Sequence, residues 1–361
     1  MRIVHIVDNI LPVNIGIWKA AINTSAYLQE QMVSSILIHP NGQGGEVDGI
    51  IGKPTDTSLK QLQTLIDEGF FDKKNDIIVT HGCWQFPTKW GKYLKKQGFA
   101  WIYTPHGMLE PWSMQQKRFK KQVYFSIVEK NAINKADVIR AVGKPEMDNL
   151  NRLFPHKKII LIPNGVKLAK AIQFPQSGET NFLFMARLHH KKGLMPLLNA
   201  WLASSLHNKP EYNLYIAGPD DGEMSNMETL LQSAASTNIH YIGILNEQTK
   251  QAYFSKCRYY ILPSFSEGFP TSVVETMAAG LVPVITDGCN FPEAFENGYA
   301  IKITTDVNSI TNFLNQLKQL SANEWEEKRK NISEWVNKHY SLNTIASMQY
   351  ALYKDLLITN N

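Results

Sequence analysis

The chain has 361 residues, 43% of them apolar and 19% charged, with a formal net charge of +5 at pH 7 from 37 basic and 32 acidic side chains. That length suits two domains of about 100–200 residues each, and the composition excludes a disordered or collagen-like chain. The three cysteines, Cys83, Cys257 and Cys289, are far apart and show no C-x-x-C spacing, which excludes a disulfide framework or zinc site, and the mild charge lacks the dense basic stripe of a nucleic-acid binder.

Short apolar runs alternate with amphipathic stretches from end to end, the pattern of parallel α/β sheets. The N-terminal run is too short and too soon interrupted for a signal peptide and reads as a first buried strand, Arg2–Val7. Further strands are predicted at Ser34–His39, Asp76–Thr80, Ala100–Thr104, Asp137–Val142 and Lys158–Ile162. A second set follows at Asn181–Ala186, Asn213–Ala217, Ile239–Ile242, Tyr259–Leu262, Val282–Thr286 and Tyr299–Ile303. Helices are predicted over Leu194–Leu206 and Ile310–Leu320, with a largely helical tail over Ser333–Leu357. Two sets of strands, each with its own helices, argue for two doubly wound domains. The expected boundaries are 1–165, 166–340, and a terminal helix 341–361 that packs back on the first domain. The junction falls between Asn164 and Thr180, where a hinge is expected near Gly165 to Gly178. No run of about 18 apolar residues appears, so no membrane-spanning helix is expected, and a reducing cytoplasm is the simplest location.

The strongest cluster of functional residues is P-S-F-S-E-G-F-P-T-S-V-V-E, from Pro263 to Glu275. A buried strand enters a Gly/Pro turn, and a helix is predicted from Thr271 to Ala279, closed by Gly280. Such a turn offers backbone N–H groups at a positive helix end, suited to hydroxyl or phosphate oxygens. Glu267 on the turn and Glu275 on the same helical face as Thr271 can both look into one cleft, where carboxylates suit polyol hydroxyls. A capped helix with two solvated glutamates gives the same residues, but the strand–turn–helix context favours the ligand site.

Arg187 stands at the C-terminal end of a strand and Lys192 in the following loop. Ligands of open α/β sheets bind at strand ends, and an Arg fork with a Lys point charge holds a diphosphate. A solvated basic loop is the competing reading.

The order Arg187-x4-Lys192, Ala217-Gly218-Pro219, Gly243-Ile244-Leu245, then E-G-F-P-x4-E and Ala278-Ala279-Gly280 resembles the nucleotide-sugar half of GT-B glycosyltransferases, family 4. The resemblance spans roughly Asn181 to Ala300. The first half agrees through Thr104 to Trp112, whose H-G-M-L-x-P-W run (His106 to Trp112) is similar to bacterial family 4 enzymes that build surface polysaccharides, and through Ile162-Pro163-Asn164-Gly165.

The resemblance implies a GT-B fold of two Rossmann-like domains facing across a cleft, and a retaining, metal-independent hexosyl transfer. The donor would be a nucleoside-diphosphate sugar, UDP- or GDP-linked, used as a co-substrate with no further cofactor. The acceptor would be a glycan or lipid-linked glycan, met at the inner face of the cell membrane. By similarity Arg187 and Lys192 hold the donor diphosphate. Glu267 bonds the donor sugar, with backbone N–H groups around Gly268, Phe269 and Thr271 helping, and Pro270 belongs to the same donor-binding turn. Glu275 bonds the ribose, and Gly243 to Leu245 lie near the base. His106 matches the family histidine that faces the transferred sugar, although a histidine at a strand end also serves as a structural hydrogen-bonder. The catalytic set is thus His106, Arg187, Lys192 and Glu267. The family's first loop carries a Gly-Gly pair; here only Gly16 remains for close approach of backbone to phosphate.

On the acceptor side, His81 and Trp84 follow a first-domain strand that points the same way as His106, and Trp112 begins a basic–aromatic stretch reaching Tyr124. With Lys89, Lys92, Lys95 and Lys96 this stretch suits an anionic membrane surface or an ordinary solvated face. There is no G-x-G-x-x-G, Walker A, H-E-x-x-H or G-x-S-x-G run, and no D-x-D; Asp220-Asp221 read as loop residues rather than metal ligands. A nucleotide-sugar epimerase or hydrolase on this fold, and a non-catalytic sugar-nucleotide-binding partner, are the two competing functions.

Overall fold

A computed structural model describes the chain except residues 12, 13, 41, 43, 116, 117, 169–178, 319 and 361. Pro12-Val13 of the first loop and most of the expected hinge therefore lie outside the described residues.

Two compact units result: Met1–Gly165 with Leu342–Asn361, and Val166–Ser341. The terminal helix, Leu342–Asn360, thus belongs to the first unit. The tail is helical, as expected, and is divided into two helices. A helix over Ala322–Tyr340 stops where Ser341 turns extended, and Tyr340 O accepts the Val166 N–H at 2.9 Å.

The first unit carries β1 (Arg2–Ile6), β2 (Ser34–Pro40), β3 (Gly45–Val47), β4 (Ile50–Thr55), β5 (Asp76–His81), β6 (Ala100–Thr104), β7 (Val138–Ala141) and β8 (Ile159–Leu161). Their order is β3-β4-β2-β1-β5-β6-β7-β8, parallel except for the β3–β4 hairpin at the edge. Six strands were expected; β3 and β4 are additions. β4 carries Pro54 and pairs with β2 near the sheet's edge, where proline is tolerated. Both faces are covered. Val4, Ile6, Ile78, Trp101 and Tyr103 pack on one side, and Ile3, Ile77, Val79, Ile102 and Val138 pack on the other with Ile345 and Tyr353 of the terminal helix. A sheet buried on both faces explains why its strands are continuously apolar rather than alternating.

The second unit carries β9 (Thr180–Met185), β10 (Tyr212–Ala217), β11 (Ile239–Tyr241), β12 (Tyr259–Leu262), β13 (Val282–Ile285) and β14 (Ile301–Lys302), in the order β11-β10-β9-β12-β13-β14, all parallel. Successive strands leave β9 in both directions, so a crevice opens at the C-terminal ends of β9 and β12. The first sheet reverses in the same way between β1 and β5.

Candidate active site

In the second unit, the loops that follow β9, β10, β12 and β13 are tied to one another at this switch point. Leu188 N donates to Pro219 O at 2.9 Å, Phe265 N to Lys191 O at 2.8 Å, and Glu267 N to Gly288 O at 2.7 Å. Close approach requires glycine twice. At Gly193 the backbone is left-handed (φ +72°) and a Cβ would lie 2.1 Å from Pro263 O; at Gly288 a Cβ would lie 2.5 Å from Ser264 O.

The side chains built on this frame form three ion pairs. Lys192 Nζ donates to both carboxylate oxygens of Glu267, at 2.7 and 2.6 Å, and Ser264 Oγ donates to Glu267 Oε1 at 2.6 Å. Glu267 is only 8% exposed, and Asn290 Nδ2 donates to its carbonyl at 2.5 Å, so side chain and backbone are both fixed. Arg187 Nη1 lies 2.5 Å from Asp221 Oδ2, and Lys250 Nζ lies 2.7 Å from Glu275 Oε1.

The expected residues therefore sit on adjacent loops of one unit, with one correction. Glu267 and Glu275 are not the two solvated glutamates of the competing reading, since each is held by a different lysine. The correction is that the Thr271 N–H is not free for a ligand, because it donates to Phe269 O at 2.9 Å. Among the described residues, Gly268 and Phe269 keep N–H groups without a partner within the fold. Pro270 caps the helix Thr271–Ala278, whose first turn is pinned by Tyr260: its hydroxyl meets Ser272 Oγ at 2.8 Å and donates to Met185 O at 3.0 Å. Gly243 and Leu245 lie on the loop after β11, where Gly243 O accepts the Gly218 N–H at 2.9 Å. Asp221, Lys250, Ser264 and Asn290 were not singled out from sequence. Cys289 beneath the site is pushed up to about 12 by burial and by the Glu267 charge, so it is an inert thiol.

In the first unit, His106 follows β6 with a left-handed backbone (φ +54°). His81 is not at a surface, as its acceptor role required. It is 0% exposed, and both its ring nitrogens are engaged, with His5 Nδ1 at 3.1 Å and His106 Nε2 at 2.9 Å. Gly107 N donates to Glu146 Oε1 at 2.5 Å and Val142 N to Glu146 Oε2 at 2.7 Å, which fixes the turn after His106. Burial raises Glu146, and Glu110 on the same turn, to about 7 each, and Glu110 Oε1 has no hydrogen-bond partner among the described residues. Trp84, also left-handed (φ +73°), is held by its N–H, which donates to buried Glu129 at 3.1 Å; Lys121 Nζ stands 5.7 Å over its ring. Trp112 lies in the short helix Pro111–Gln115. Gly16 lies not in a loop but in the first turn of the helix Ile15–Ile22, where a Cβ would meet nothing within 4 Å.

Along the basic–aromatic stretch, Phe119 is 81% exposed and Val123, Ile127 and Val128 are also exposed, continuing past Tyr124 into a π-helical turn, Phe125–Glu129. Lys95 is bound to Asp137 at 2.6 Å. Among the described residues no helix is long and apolar enough to cross a membrane, and no cluster of three metal-ligating side chains occurs.

Residues 167–339 match the model of Glycosyl transferases group 1, and residues 53–170 match that of Glycosyltransferase Family 4. An uncharacterized 41.2 kDa protein in the cps region of Klebsiella pneumoniae is 22% identical over 73% of each chain. A GDP-mannose:cellobiosyl-diphosphopolyprenol alpha-mannosyltransferase of Xanthomonas oryzae pv. oryzae is 24% identical, over 61% of this chain and 59% of that relative. Among solved structures, sucrose-phosphate synthase from Thermosynechococcus elongatus superposes with a TM-score of 0.79 at 16% identity, covering 99% of this chain and 100% of that one. Its fold is GT-B.

Proposed function

The chain belongs to the GT-B glycosyltransferases of family 4 that build bacterial surface polysaccharides, and from that premise we propose that it transfers a hexosyl group from a UDP- or GDP-sugar to a lipid-linked or growing glycan, with retention and without a metal. The observation that carries the reading is the Lys192–Glu267 pair beside Arg187, at the switch point of the second sheet. Two cations and two free N–H groups suit a diphosphate, and a fixed carboxylate suits sugar hydroxyls.

Donor binding exchanges partners. Lys192 and Arg187 turn from Glu267 and Asp221 to the diphosphate oxygens, and Glu267 is released to accept from the sugar. Glu275 takes the ribose, and the loop Gly243–Leu245 takes the base. In the transfer the bond from C1 to the phosphate oxygen breaks as the acceptor oxygen bonds C1 from the same face. The acceptor proton passes to the departing phosphate, whose charge Arg187 and Lys192 offset. His106 is the first unit's candidate for the reaction, as the family resemblance implies. The relative acting on a diphosphopolyprenol-linked acceptor supports a lipid-linked substrate here, and the exposed Phe119, Val123 and Ile127 beside basic residues support contact with an anionic leaflet at the cytoplasmic face.

The test is incubation with a panel of UDP- and GDP-sugars, with and without a polyprenyl-diphosphate-linked glycan, with product configuration read by proton NMR. A new α-linked product from an α-configured donor supports the proposal. Consumption of donor without acceptor points instead to a hydrolase or epimerase.

A further inference from the structure

His5, His81 and His106 are 76 and 25 residues apart in sequence, yet the sheet register makes them a staircase. His5 on β1 pairs with Val79 on β5, and His81 is two residues further along, on the same face. His81 pairs with Thr104 on β6, and His106 is again two residues further along. The steps cross the switch point of the first sheet and climb from its interior to its C-terminal edge. His5 and His81 are 2% and 0% exposed, whereas His106 keeps part of its surface open. The ring contacts follow the same line, with centroids 5.3 and 5.2 Å apart.

Beside this staircase lies Arg140 of β7, whose register with β6 sets it next to Thr104 on the same face. It is buried, and its guanidinium donates to the carbonyls of Ile162 and Pro163, both at 2.9 Å. Burial and the Arg140 charge both disfavour protonated imidazole, which takes His5 down to about 3 and lowers His81 and His106 as well. The three rings are therefore neutral, with one N–H each.

Neutrality makes the proton order all-or-none. If His5 Nδ1–H donates to His81 Nε2, then His81 Nδ1–H donates to His106 Nε2, and His106 carries its proton on Nδ1. If the order reverses, His106 Nδ1 is bare and His5 Nε2 carries the proton. His5 Nε2 is buried with no hydrogen-bond partner among the described residues. A bare nitrogen in the field of a guanidinium costs less than an orphaned N–H facing the same charge. The first order is the stable one.

We propose that His5 and His81 are positioning residues that fix His106 as a hydrogen-bond donor through Nδ1–H, aimed outward for the transfer. The proposal rests on the reading of His106 as a residue of the reaction. The relay gives a polyol-facing histidine one orientation and one tautomer, and binding need not select either.

Nitrogen-15 correlation spectra of the histidine rings in the whole protein test the order directly. The expected result is a protonated Nδ1 and bare Nε2 at His106; a protonated Nε2 there overturns the proposal. Two variants extend the test. His81→Leu removes the relay and is expected to mix the His106 tautomers and to lower kcat at least about 10-fold, with donor KM changed far less, the scale for losing a group that orients a functional histidine. His81→Asn, whose amide overlays the Nδ1 donor, is expected to keep the tautomer and most of kcat. If His81→Leu leaves both tautomer and kcat unchanged, the relay has no role. His106→Ala separates the two claims: undiminished transfer there removes His106 from the reaction, whatever its tautomer.

Discussion

Lys192 Nζ lies 2.7 and 2.6 Å from the two carboxylate oxygens of Glu267, and both side chains are largely buried. A pair this close and this dry holds itself in place, because removing either member strands a charge. In the proposed function its lysine serves the diphosphate and its carboxylate serves the sugar hydroxyls. Lys192→Ala should lower transfer at least about 100-fold, the scale for one lost charge-stabilising group. Glu267→Gln should raise the demand for donor sugar while leaving binding of the free nucleoside diphosphate nearly intact. Equal loss of both in a titration calorimeter would take Glu267 off the sugar.

Gly193 sets the loop that carries Lys192. An alanine there must adopt φ +72° with its Cβ against Pro263 O, so the β9 and β12 loops must part. Gly193→Ala should cost about 1–3 kcal/mol or more in urea unfolding. A neutral effect would show that the loops are not tied as described.

Glu110 gives a pH signature. Burial raises its carboxyl from 4.5 to about 7, so the folded chain binds this proton more tightly than the unfolded chain. The stability it contributes is complete below about 4.5 and is lost as pH rises through about 7. Glu110→Gln, which mimics the neutral acid, should melt with the wild type at pH 4 and above it at pH 8. A gap of the same size at both pH values would contradict this.

The exposed apolar residues beside the basic helices predict surface binding. Phe119→Asp with Ile127→Asp should reduce co-sedimentation with phosphatidylglycerol vesicles several-fold, and phosphatidylcholine vesicles should bind little of either protein. Equal binding to both lipids would remove the electrostatic part of the argument.

Much of this was legible in the chain. The parallel strands announced themselves as apolar runs, and the turn from Glu267 to Thr271 was marked by its Gly and Pro between a strand and a helix. The partners of the charged residues were not legible, because Asp221 and Lys250 reach Arg187 and Glu275 only once neighbouring strands fix their loops. The same holds for His81. A strand-end histidine looks like a pocket residue until the registers of β1, β5 and β6 put it between two others. β3 and β4 were missed because an edge hairpin made of glycines, acidic residues and a proline carries the signals of a loop.

The most direct measurement is the thermal stability of the protein with UDP-, GDP- and ADP-sugars in the absence of metal, for the wild type and Lys192→Ala. A ligand at 100 times its Kd stabilises the folded state by about 2.7 kcal/mol. The account predicts a clear rise in melting temperature with one nucleotide class, lost in Lys192→Ala. A shift that survives the substitution undiminished would contradict the assignment of Lys192 to the donor diphosphate, and no shift with any donor would contradict the site itself.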